Sequence, residues 1–117
     1  MKKKYKVPVM YNGADMLNRY EIKDMIENDI KSTFGTSVDI LVNNCGMQHI
    51  SPIEDFDEDM FEKVIQLNLT SNFYTTKYVI KDMREKQYGR IIKVASTHGK
   101  VASVHKSAYV ASKHGVV

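Results

Sequence analysis

Apolar residues recur along this chain with two different periods, and the changes of period divide it into six segments. In "KVPVMYNGAD" (6–15), Val7, Val9 and Tyr11 take alternate positions, which predicts a short strand running into a turn at Asn12-Gly13. Pro8 cannot donate to a ladder, so this strand suits a sheet edge or a strand start. In "RYEIKDMIENDIKSTFG" (19–35), Ile22, Met25, Ile26, Ile30 and Phe34 recur at three- and four-residue steps, which predicts a helix stopped by Gly35. "VDILVNNCG" (38–46) is a continuous apolar run ending in small and polar residues, the pattern of a strand covered on both faces.

The stretch from "SPIEDFDEDMF" to "KQYG" (51–89) reads as one long helix with a face of Phe61, Ile65, Leu69, Phe73, Thr76, Ile80 and Met83. Asp55, Asp57, Glu58 and Asp59 crowd its start, while Lys81, Arg84 and Lys86 crowd its end; both clusters complement the helix dipole. Polar Asn68, Thr70 and Ser71 near its middle are unusual for a packing helix. "RIIKVAS" (90–96) predicts a third strand, and "KSAYVASKHGVV" (106–117) a third helix. The order β-α-β-α-β-α, without repeats or linkers, predicts a single α/β layered domain over 1–117 with parallel strands.

Composition changes this picture little. The formal charge of +3 is concentrated in "MKKKYK", which reads as a solvated terminus; a nucleic-acid surface would show a basic stripe interleaved with aromatics. No apolar run reaches the ~18 residues of a membrane span, and the opening is not a signal peptide. One cysteine, Cys45, allows no internal disulfide and suggests no metal site. A cytoplasmic location is expected. The many methionines read as core filling.

The polar clusters follow the predicted strands, where ligands bind in doubly wound sheets. "NNCG" (43–46) follows the second, "STHG" (96–99) the third, and Asn12 and Asp15 the first. Tyr109 and Lys113, four apart, share one face of the last helix. A phenol is a weak acid near neutrality, and a neighbouring lysine cation favours its ionised form. The pair therefore suits acid–base work at a carbonyl. Ser96 is placed to hold the carbonyl oxygen, and Asn68 to orient a water that relays the proton. Cys45 reads as a small buried thiol, with no base placed to make it a nucleophile. His49, His105 and His114 read as loop histidines.

In "NNCG", Asn68 of "LNLTS", Ser96 of "IIKVAST" and Tyr109-x-x-x-Lys113, the chain resembles the short-chain dehydrogenase/reductase family. Four motifs in the family's order and spacing carry the resemblance, which covers Val7 to Val117. It implies a catalytic set of Asn68, Ser96, Tyr109 and Lys113. It implies that Asn43, Asn44, Gly46, Tyr109 and Lys113 contact an NAD cofactor, with Asp15-Met16 as the adenine-contacting pair. "QHISPIEDF" and "ASTHGKVASVHKSAYVASKHG" are similar to the branch that interconverts 3-hydroxybutyrate and acetoacetate. That similarity implies that Gln48, His98 and Lys106 grip the carboxylate of a small hydroxy or keto acid. His105 stands where these relatives have proline, and Cys45 where the family has alanine.

The family's glycine-rich pyrophosphate turn has no counterpart in these residues. The resemblance therefore implies an incomplete Rossmann-like doubly wound sheet, made of family strands 3 to 5 with their helices. In the family order 3-2-1-4-5-6-7, strand 3 sits about 14 Å from strand 4. Without the strands between, strand 3 is expected to detach, or the chain to pair its strands in a non-native order. Strands 4 and 5 are expected to keep one another and to expose their edges, as are helix faces that normally meet other subunits. A homo-oligomer or a complementary fragment is the expected partner. The isolated chain is expected to be inactive, as a middle piece of a split or decayed reading frame.

Overall fold

Asn18 sets the first helix. Its backbone is extended, and its side-chain oxygen accepts from the N–H groups of Tyr20 and Glu21, satisfying donors the helix start leaves open. Helix α1 (Arg19–Asp24) runs through a π-helical turn (Met25–Asp29) into α2 (Ile30–Phe34). Gly35, at φ 68°, ends it in the left-handed conformation that glycine adopts without a Cβ penalty. The computed structural model describes residues 5–117, so most of the basic opening run lies outside the described residues.

Ile22 and Ile26 are buried against Val79 and Met83 of the long helix, with Leu41 and Ile91 packed on the same cluster. Burying a side chain as completely as Ile22 contributes roughly 1.5–3 kcal/mol. At the rim, the Asp82 carboxylate accepts from Lys31 at 2.7 Å. That bond, with the charge behind it, holds the Lys31 ammonium above its ordinary range.

Strands β1 (Ile40–Asn43) and β2 (Arg90–Lys93) form a two-stranded parallel sheet with Leu41 opposite Ile91 and Val42 opposite Ile92. Between them lie a short 3-10 turn (Ile53–Asp55), α3 (Glu58–Ile65), a second π-helical turn (Gln66–Thr70) and α4 (Ser71–Glu85). After β2 come a 3-10 turn (Thr97–Gly99) and α5 (Ser107–Val116). This is the parallel α/β layering read from the sequence.

Three expectations need correction. Residues 6–15 form no strand, and Tyr11 is 92% exposed. A ladder needs a neighbour, and none is at hand. The segment is held instead by the first helix, with Asn12 donating to Asp29 at 2.6 Å and Thr33 to the Met10 sulfur at 3.1 Å. β1 is covered on one face only: Leu41 and Asn43 face inward, whereas Ile40 and Val42 are 54% and 53% exposed. The long helix starts at Glu58 rather than Ser51, because Asp57 caps it by accepting from the Met60 N–H.

The buried stripe of that helix also differs from the expected face. Val64, Asn68, Ser71, Asn72, Thr75, Val79 and Met83 are buried, while Phe73 is 60% exposed. The stripe lies one position before the expected face both ahead of the π turn, at Val64, and after it, at Asn72, Thr75 and Val79, and meets that face at Met83.

Candidate active site

The ladder runs one step past β2, with the Val94 N–H donating to Asn43 O at 2.9 Å, and both strands then open into loops at the same end of the sheet. Asn43 is buried beneath them. Its Oδ1 accepts from Thr75 at 2.7 Å, while its Nδ2 has no acceptor among the described residues. Asn44, Cys45 and Gly46 are exposed, so the thiol expected to be buried lies on the surface.

Gly46 passes directly over the long helix. A Cβ there would lie 3.1 Å from Asn68 Oδ1, tighter than an ordinary contact, so the bare backbone lets the loop descend onto Asn68. Met47 then clasps that side chain from both sides, its N–H donating to Oδ1 at 2.8 Å and its carbonyl accepting from Nδ2 at 2.9 Å. The second Nδ2 hydrogen goes to Ser112 Oγ at 3.0 Å, and Ser112 donates in turn to Tyr109 O at 2.8 Å. Asn68, on the π turn, thus ties the loop after β1 to α5.

Helix α5 presents Tyr109 and Lys113 to the same place. Lys113 is buried; its Nζ donates to Val94 O at 2.9 Å and stands 5.7 Å from the centre of the Tyr109 ring. The His98 ring meets the Tyr109 ring edge-on at 6.0 Å. His98 Nδ1 lies 3.1 Å from Val101 O, a carbonyl that only accepts, so the proton sits on Nδ1. Ser96 precedes the 3-10 turn and accepts from the His98 N–H at 3.2 Å. Gly99 brings this turn against α5: a Cβ there would fall 2.8 Å from Lys113 O.

An open depression of about 280 Å³ collects Asn44, Gly46, Gln48, Tyr109 and Lys113. Lys106 lies apart, in a neighbouring hollow with Ser51 and His105. His105 has φ 59°, a left-handed backbone conformation that a proline ring, fixed near −65°, cannot adopt. Asp15 and Met16 are not part of this cluster. Asp15 forms the turn before α1, accepting from the Leu17 N–H, and Met16 packs on the core.

Sequence reasoning missed Ser112, Asn72 and Thr75, which are buried and bonded beneath the site. Asn68, Ser71, Asn72 and Thr75 are polar at helical spacing, so the inner stripe was written in the chain as a polar rather than an apolar period.

The family model for short chain dehydrogenases matches residues 1–117. The chain belongs to the short-chain dehydrogenase family. It is 53% identical over 111 residues to a D-beta-hydroxybutyrate dehydrogenase of Cupriavidus necator, covering 95% of this chain and 42% of that protein. A D-beta-hydroxybutyrate dehydrogenase of Rhizobium meliloti is 47% identical over 109 residues, covering 93% and 42%. The crystal structure of a candidate gluconate dehydrogenase from Agrobacterium tumefaciens superposes with a TM-score of 0.80 at 30% identity, over 87% of this chain and 40% of that one. The chain thus spans about two fifths of the length of these short-chain dehydrogenases. Among the described residues, no helix is long and apolar enough to cross a membrane, and no cluster of His, Cys, Asp or Glu is placed to hold a metal.

Proposed function

We propose that these residues form the catalytic segment of an NAD-dependent dehydrogenase that interconverts 3-hydroxybutyrate and acetoacetate. The observation that carries this reading is the meeting of Tyr109 and Lys113 with the Asn44–Gln48 loop in one depression. The two D-beta-hydroxybutyrate dehydrogenase relatives direct the choice of substrate.

In this reading the Tyr109 phenol oxygen takes the substrate hydroxyl proton as the carbonyl forms. The buried Lys113 ammonium stabilises negative charge on that oxygen by Coulomb attraction. Ser96 donates to the substrate oxygen, and Asn68 orders the relay behind Tyr109. Gln48, His98 and Lys106 receive the substrate carboxylate, which suits one cation and two polar side chains.

The residues present fit one end of NAD. Gly46 keeps the loop free of a side chain beside Lys113, whose Nζ spends one of its three hydrogens on Val94 and has others for ribose hydroxyls. The chemistry NAD supplies when bound is acceptance of the hydride from the hydroxyl-bearing carbon. These residues contain no glycine-rich turn for the pyrophosphate, so the isolated chain is expected not to turn over.

The test is a chimera in which this chain replaces its matched segment in the Cupriavidus necator relative. Reduction of NAD by D-3-hydroxybutyrate is expected, falling about 10²- to 10⁴-fold in Tyr109→Phe. A folded chimera without activity, or one indifferent to Tyr109→Phe, overturns the reading.

A second reading, a non-catalytic assembly piece, is favoured by the bare sheet face of Ile40, Val42, Ile92 and Val94. It places the chain in the cytoplasm as a homo-oligomer or joined to a complementary fragment. Sedimentation of the chain alone, and with a fragment supplying the glycine-rich strand and helix, tests it; a dilute monomer that ignores that fragment ends it.

A further inference from the structure

The π turn beneath Asn68 carries its own set of side-chain donors. The Ser71 N–H donates to Gln66 O, five residues back, so the helical register has slipped by one. Two carbonyls inside the turn accept side-chain donors. Ser71 Oγ donates to Leu67 O at 2.6 Å, and Asn72 Nδ2 donates to Asn68 O at 2.7 Å. Each donor comes from the residue four positions on, whose backbone N–H serves that carbonyl in a regular α-helix. Thr75 continues the pattern, its hydroxyl lying within bonding distance of Ser71 O and Asn43 Oδ1.

Asn72 is the costly member of this set. It is 7% exposed, and an amide is buried at such a place only where its hydrogen bonds are made. An apolar residue there would pack without penalty in a regular helix. What the amide adds is a donor for the backbone of the very residue whose side chain spans Met47 and Ser112.

We propose that Asn72 is a positioning residue for Asn68: its side-chain amide bonds to the Asn68 carbonyl, holds the π register, and thereby aims Asn68 between the β1 loop and α5. The proposal rests on the reading above only in treating Asn68 as part of the site. A regular α-helix would turn Asn68 by about 100° relative to the residues after it and break its bonds to Met47 and Ser112.

The test compares Asn72→Ser with Asn72→Ala in the 117-residue chain. The two side chains leave nearly the same cavity, but only the serine hydroxyl can bond back to the carbonyl four residues earlier. The quantity measured by NMR is hydrogen exchange at the Asn68 side-chain amide, assigned by its loss in Asn68→Asp. The Ile22 and Ile26 backbone amides report the core. Asn72→Ala is expected to speed exchange at Asn68 roughly fivefold, with the core amides unmoved, and Asn72→Ser to restore most of the protection. Equal behaviour of the two variants overturns the proposal, whether both keep protection, both lose it, or both unfold, because Asn72 would then matter for its volume alone. An inactive chimera together with a split between these variants would remove the enzymatic reading and leave the positioning role standing.

Discussion

Asn68 Nδ2 donates to Ser112 Oγ across 3.0 Å, with both residues wholly buried and 44 positions apart in the chain. Asn68 lies on the turn between α3 and α4, and Ser112 sits one residue before Lys113 on α5. Their bond, with the Met47 clasp on the other side, fixes the Tyr109 helix relative to the loop after β1. The site is therefore braced from below by Asn68 and Ser112, which do not line the depression, through Met47, which does.

Removing one end of that tie has a definite cost. Ser112→Ala leaves an Asn68 amide hydrogen buried without an acceptor, a penalty of about 1–3 kcal/mol. The urea midpoint is expected to fall with an unchanged slope, since the surface exposed on unfolding is the same. A midpoint equal to the parent's would mean that Asn68 finds another acceptor and that the tie adds no stability.

Gly99 sets the distance between the Ser96 turn and α5. The atoms a Cβ would strike include Lys113 O at 2.8 Å, and backbone cannot rotate away as a side chain can. Gly99→Ala is expected to cost about 1–3 kcal/mol by forcing α5 outward. The Ile22 core lies elsewhere and is expected to keep its amide protection, so the loss appears at Tyr109 to Lys113. Uniform loss of protection across the chain would contradict this.

The legible and illegible parts of the structure divide along physical lines. The first and last helices follow from local period and from stop signals such as Gly35, because these act within a few residues. The pairing of β1 with β2 and the placing of Tyr109 beside Lys113 follow from motif order along the chain. The 6–15 strand fails because a strand is a relationship with a neighbour rather than a property of Val7, Val9 and Tyr11. The face of the long helix fails at Phe73 because Asn68, Asn72 and Thr75 carry the inner stripe as polar residues, so an apolar count settles one position too late, on Ile65, Leu69 and Phe73. Ser112 stays hidden because a serine beside a conspicuous lysine has no period of its own; only its 3.0 Å bond to Asn68 reveals it.

Lys106 offers the sharpest separation of binding from chemistry. It occupies the N-cap position of α5 without making a side-chain cap, and lines the hollow beside the Tyr109 depression. In the proposed reaction it meets the substrate carboxylate, a charge that does not change as the hydroxyl becomes a carbonyl. A bond to that carboxylate is equally strong in the ground and transition states. Its removal should therefore raise KM and leave kcat nearly unchanged. In the active chimera, Lys106→Ala is expected to raise KM for D-3-hydroxybutyrate about 10- to 100-fold, the equivalent of one charged hydrogen bond. Higher ionic strength should narrow the gap by screening the parent's half-buried cation. A fall in kcat with KM intact would place Lys106 at the reacting centre instead and would end its assignment to the carboxylate.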